Sequence, residues 1–117
     1  MNKLDSLSVL ASRQTDALIA EKVMELRLDW EFAEFQNGEP AVPTLRDKYD
    51  EIGILPFYST DISAAWDIVE KLKLTIEPSA LNQWYVHKGI GSNGIYAETA
   101  PLAICRAALL YMSESKP

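Results

Sequence analysis

The sequence predicts an α+β domain: a small antiparallel or mixed sheet of about four strands covered by about three helices. Three observations carry this. Apolar residues recur at helical spacing in three segments. Between those segments they switch to strict alternation over short runs. The connections are tight, which suits hairpins better than parallel crossovers.

Composition bounds the rest. The chain has 117 residues and is read as one domain, 1–117, long enough to bury a single core without staples. Hydrophobic residues make up 48% and charged residues 24%, ordinary globular usage that argues against disorder. Acidic residues outnumber basic ones 17 to 11, so the basic footprint of a nucleic-acid binder is missing. One cysteine, Cys105, excludes an intrachain disulfide and fits a reducing compartment. No apolar run approaches the about 20 residues of a membrane span. The start of the chain, with Asp5 and serines among its leucines, lacks the apolar core of a signal peptide. The expectation is a soluble cytoplasmic protein.

The elements follow in order. Residues 2–12 read as a short helix or a loose lead-in. A first helix is predicted from Thr15 to about Leu26, with Asp16 at its positive end. Leu18, Ile19, Val23 and Met24 form its apolar side, and Glu21, Lys22 and Glu25 its wet side. Leu26, Leu28, Trp30 and Phe32 alternate with charges, so 26–32 is a strand with one buried face. Gln36-Asn37-Gly38 is a turn signal. The proline-containing stretch 39–56 is read as a surface excursion, with one helical turn opening at Thr44-Leu45-Arg46-Asp47. A second helix is predicted from Ser59-Thr60-Asp61 to about Lys71, capped by Ser59 or Thr60. Its inner face is Ile62, Ala65, Trp66, Val69 and Leu72. A strand over 72–76 ends at Glu77-Pro78-Ser79. Strands 83–88 and 95–98 form a hairpin around the Gly-rich tip 89–94. Thr99 caps the last helix, Ala100 to about Met112, with Pro101 in its first turn. That helix is apolar on most sides, so it packs on more than one surface or meets a partner chain. Ser113 to Pro117 should fray.

Few residues carry a chemical signal. His87, the only histidine, would need a carboxylate such as Glu98 across the hairpin to act as an acid or base; a plain surface-facing strand histidine is favoured. Cys105 on an apolar helix reads as a buried small hydrophobe. Asp47, Asp50 and Glu51 lack a calcium-loop pattern, so no metal site is expected, and no cofactor motif is present. The acids at 25, 29, 31, 34 and 39 suit a solvated strand edge. Trp30, Trp66 and Trp84 sit at apolar positions and are assigned to the core. Two places are candidate ligand contacts: the helix start Tyr58, Ser59, Thr60 and Asp61, where an anion would find free N–H groups, and the loop residues Gly89, Gly91 and Asn93.

Three stretches resemble a known family. Leu7-Ser8-Val9-Leu10-Ala11 leading into Asp16-Ala17-Leu18-Ile19-Ala20-Glu21-Lys22-Val23-Met24 is similar to the opening of the phage ABA-sandwich domain family. Residues 58–72, Tyr-Ser-Thr-Asp through Leu72, resemble its central helix, and 99–109 its closing helix. Order and spacing agree over nearly the whole chain. The resemblance implies a three-layer α/β/α sandwich encoded by a phage or prophage, and it brings no catalytic residues. The chain departs from the family pattern after Val23-Met24, where Gly-Trp is common and this chain has Glu25-Leu26. The 38–56 segment also looks particular to this chain.

The reading that follows is a non-catalytic protein-interaction module in the bacterial cytoplasm. Its partner is itself, through the last helix and the excursion, or a host or phage protein. The alternative is a binder of a small ligand such as a nucleotide signal; a hydrolase built on His87 ranks third. Ile62, Trp66, Val69, Leu102, Cys105 and Leu109 are assigned to the core.

Overall fold

The computed structural model describes residues 9–34, 42–47, 49, 51–89, 91 and 93–114, with the side chains of 31–34 and 114 left aside. The short helix or lead-in before residue 9, the Gln36-Asn37-Gly38 turn and residues 115–117 of the tail lie outside the described residues. Among them the chain forms three helices and six strands, in two antiparallel three-stranded sheets.

Helix α1 spans Arg13–Leu18, and its last turn widens to a π-helix over Ile19–Val23. It starts two residues before the expected Thr15, because the Ser12 side chain caps it by accepting from the Thr15 N–H. The π turn places Met24 N–H on the Ile19 carbonyl at 2.9 Å. Glu25 then takes a left-handed conformation, φ 57°.

Strand β1 is Arg27–Glu34, β2 Val42–Arg46 and β3 Ile52–Gly53. Leu28 pairs with Leu45, and Leu45 with Gly53. The sheet corrects the expectation of a surface excursion with a helical turn at 44–47. Val42-Pro43-Thr44-Leu45-Arg46 gains more as a strand, because Leu28 and Leu45 pack together against the core. Asp47, expected as the far end of a capping box opened at Thr44, instead accepts from the Tyr49 and Glu51 N–H groups at 2.8 and 2.9 Å and turns the chain toward β3.

Helix α2 is Ile62–Leu72. Its cap is Asp61, which accepts from the Ser63 N–H; Ser59 and Thr60 do not cap it. Lys73, left-handed at φ 57°, ends it. Strand β4 is Thr75–Ser79, later than the expected 72–76, and it carries Pro78 at the edge of its sheet. Leu81 and Asn82, both at positive φ, turn the chain into β5, Gln83–His87. Strand β6, Ile95–Ala97, returns beside it, with Tyr85 opposite Tyr96 as the hairpin reading requires. Helix α3, Ala100–Glu114, begins under Thr99, whose hydroxyl accepts from the Leu102 N–H at 3.3 Å.

Helix α3 explains the core. Ala103, Ile104, Cys105, Ala107 and Ala108 are fully buried. Their helix packs on α2, on β5 and β6, and on the π turn of α1. The small alanines let these neighbours approach closely, so the apolar circumference is consumed within one chain. Val69, Leu102, Cys105 and Leu109 are core residues as expected. Ile62 and Trp66 are not. Trp66 is 48% exposed, because α2 buries the stripe Ala65, Ile68 and Val69, one step round from the expected face. Trp30 and Trp84 also reach solvent, at 56% and 36% exposed. Trp30 stands on the edge strand β1, and Trp84 at the start of β5.

Candidate functional site

The start of α1 is held by a polar clasp. Asp16 is 1% exposed, and its carboxylate accepts from the Ser59 N–H at 2.7 Å, the Ser59 hydroxyl at 2.6 Å and Arg13 Nη1 at 2.6 Å. The Arg13 guanidinium also donates to the Leu55 and Pro56 carbonyls and lies 3.7 Å over the Phe57 ring. Ser12 donates its N–H to the Ser59 oxygen at 3.0 Å. Every charge in the clasp is answered, so it fixes α1 against the 55–59 segment.

The clasp decides where the first candidate contacts stand. Tyr58 and Ser59 are buried, facing inward, while Thr60 and Asp61 are exposed. The Asp61 carboxylate itself occupies the N-terminal end of α2. Burial, with help from Asp67, Asp16 and Cys105, pushes the Tyr58 hydroxyl above its ordinary range. The four residues form two pairs facing opposite ways.

The second group sits on the hairpin. Gly89 and Gly91 take φ of 127° and 86°, conformations that suit glycine. Asn93 contributes its carbonyl to the Tyr111 hydroxyl at 2.6 Å. Gly94 lies under the Tyr85 ring and donates its N–H to the Tyr85 oxygen at 3.1 Å. The carboxylate near His87 is Glu77 on β4, at 3.5 Å, and not Glu98. Cys105 is buried, and desolvation raises its thiol pKa well above the ordinary value. Among the described residues no three His, Cys, Asp or Glu side chains gather as a metal site.

A cleft missed by the sequence reading lies between α1 and the first sheet. Arg13, Gln14, Ala17, Leu18 and Glu21 line one wall, and Leu28, Trp30 and Pro43 the other. Its volume is about 190 Å³. The floor is aliphatic, the rim polar, and the half-exposed Trp30 stands at the mouth. Arg13 is held at the rim by the clasp. A second hollow of about 200 Å³ lies at the same sheet, between Leu26, Leu45 and Ile52, beside Arg46, Asp47 and Glu51. Arg46 is paired there with Asp29 at 2.6 Å. Ile52, Ile54 and Phe57, on β3 and the segment leaving it, are also exposed. The sequence carried one signal for this site, Arg13 three residues before Asp16, which suits an ion pair on one helix face.

Residues 17–109, from α1 into α3, match the phage ABA sandwich domain. The chain belongs to the phage ABA sandwich domain family. A crystal structure of a phage protein from Bacillus cereus ATCC 14579 is similar over 90% of this chain and 89% of that one, with 27% identity and a TM-score of 0.60. No curated protein matches. The α+β architecture fits the family's sandwich. Glu25 stands in the left-handed position after the first helix, a conformation in which a glycine would be unstrained.

Proposed function

We propose that this phage ABA sandwich protein is a non-catalytic protein-interaction module of the bacterial cytoplasm, and that its contact is the α1–sheet cleft with Trp30 at the mouth. The carrying observation is that Trp30, a large aromatic, stands 56% exposed beside an aliphatic hollow. Singly exposed apolar residues are ordinary; an aromatic beside a preformed hollow, with Ile52, Ile54 and Phe57 exposed from the same sheet region, is the composition of an interface centre. The partner is a second copy or another phage or host protein. Self-association through the last helix has no support, since α3 spends its apolar surface inside the chain.

A small-ligand reading is weaker on size. Pockets for drug-sized ligands run about 300–1,000 Å³, and each hollow at this sheet is near 200 Å³. The hydrolase reading finds its histidine with one ring nitrogen occupied by the Gly89 N–H, and Glu77 in place of Glu98 as the carboxylate beside it. The net charge of −6 argues against nucleic acid. No helix among the described residues is long and apolar enough to cross a membrane.

The test compares the protein with Trp30→Glu and Ile54→Asp, by sedimentation at micromolar concentration and by affinity capture from bacterial extract. A dimer, or a captured protein, that is lost in both variants supports the reading. A wild-type monomer that retains the same proteins as the variants overturns it.

A further inference from the structure

His87 ends β5 with both ring nitrogens in defined surroundings. Nδ1 accepts a hydrogen bond from the Gly89 N–H at 3.0 Å. A neutral imidazole has one accepting nitrogen and one that carries hydrogen, so the hydrogen sits on Nε2. Nε2 is buried without a hydrogen-bond partner among the described residues. It lies 3.5 Å from Glu77 Oε2, within ion-pair range but poorly placed for a hydrogen bond. Among the described residues, Tyr85 stacks on the ring at 5.1 Å, while the next residue, Lys88, lies over the Tyr111 ring of α3 at 4.8 Å.

We propose that His87 is a proton-operated latch on the exit of β5. Protonation adds a hydrogen at Nδ1, so two N–H donors then face each other and the Gly89 bond is lost. The imidazolium gains attraction to the Glu77 carboxylate at its other nitrogen, which favours the ring swinging toward β4. Gly89 takes φ 127°, a conformation only glycine adopts readily, so the bond that breaks ties the ring to a backbone position able to turn. The contacts at the far side of the hairpin, Gly94 to Tyr85 and Tyr111 to Asn93, do not involve the His87 ring.

An NMR titration of the whole chain from pH 8 to pH 5 tests this. At pH 8 the ring nitrogen shifts should report the Nε2–H tautomer. On acidification the Gly89 amide should move with the same midpoint as the ring. Its exchange, corrected for intrinsic pH dependence, should quicken about five-fold, the factor one net hydrogen bond is worth; the exchange of Val86, buried and paired with Ile76 and Ile95 on its two sides, should not respond. His87→Asn supplies an oxygen near the Nδ1 position that does not titrate, so Gly89 should stay protected throughout. An Nδ1–H tautomer at pH 8, a Gly89 amide indifferent to ring protonation, or the same acid response in His87→Asn would overturn the proposal.

Discussion

Asp16→Ala should be among the most damaging single substitutions in this protein. The carboxylate is 1% exposed and receives three hydrogen bonds of 2.6–2.7 Å, two from Ser59 and one from Arg13. Its removal leaves the buried Ser59 N–H without a partner, at about 1–3 kcal/mol. It also leaves the Arg13 guanidinium, only 20% exposed, without its counter-charge. Losing one member of a buried ion pair costs about 3–5 kcal/mol. These losses overlap, so the expected total is about 3–5 kcal/mol and not their sum. For a chain of this length that lowers the melting temperature by roughly 10–20 °C. Asp16→Asn keeps an acceptor for Ser59 and loses the charge, so it should cost less, about 1–3 kcal/mol. Urea denaturation followed by circular dichroism measures both. A cost below about 1 kcal/mol for Asp16→Ala, the worth of a charge at a helix end alone, would refute the clasp.

Four further outcomes are expected. Ile104→Ala, at a fully buried site, should cost about 2–5 kcal/mol in denaturation, whereas Trp66→Ala at a half-exposed site should cost clearly less. Gly94→Ala would drive a Cβ into the Tyr85 ring and to 2.6 Å from the Val86 carbonyl oxygen, and should destabilise by about 1–3 kcal/mol in the same assay. Glu25→Gly should raise stability by about 0.5–1 kcal/mol by relieving the left-handed strain, since the exposed pair with Lys71 that it removes contributes little. Stability should fall at alkaline pH: the Cys105 thiol binds its proton more tightly folded than unfolded, so its contribution is complete below about 9.0 and is lost as pH rises above that value. Denaturant midpoints at pH 7 and pH 10 for wild type and Cys105→Ala check the sign; the drop should be smaller in the variant.

The sequence disclosed the parts of the fold whose signals are local. Thr99 and Pro101 mark the start of α3, and the aromatic strands around the glycines mark the β5–β6 hairpin. What it concealed depends on long-range partners. Strand β2 reads as an irregular proline-containing run until Leu45 meets Leu28 across the sheet. In α2, Ala65, Ile68, Val69 and Leu72 obey the helical rule as well as the stripe containing Trp66 does, and only the position of α3 selects between them. Ser59 looks like a cap because serine often is one, but Asp16, 43 residues earlier in sequence, takes both its donors. The candidate cleft was hidden for the same reason. Trp30 alternates as an inner residue should, yet it faces the cleft beside α1 and stays more than half exposed.

Photo-crosslinking in bacterial cells tests the interaction reading most directly. A photoreactive phenylalanine analogue replaces Trp30 in one strain and Glu70, exposed on α2, in another. The account predicts a discrete protein adduct from position 30, to a second copy or to another protein, and none from position 70. Absence of an adduct at position 30, or the same adducts from both positions, would contradict it.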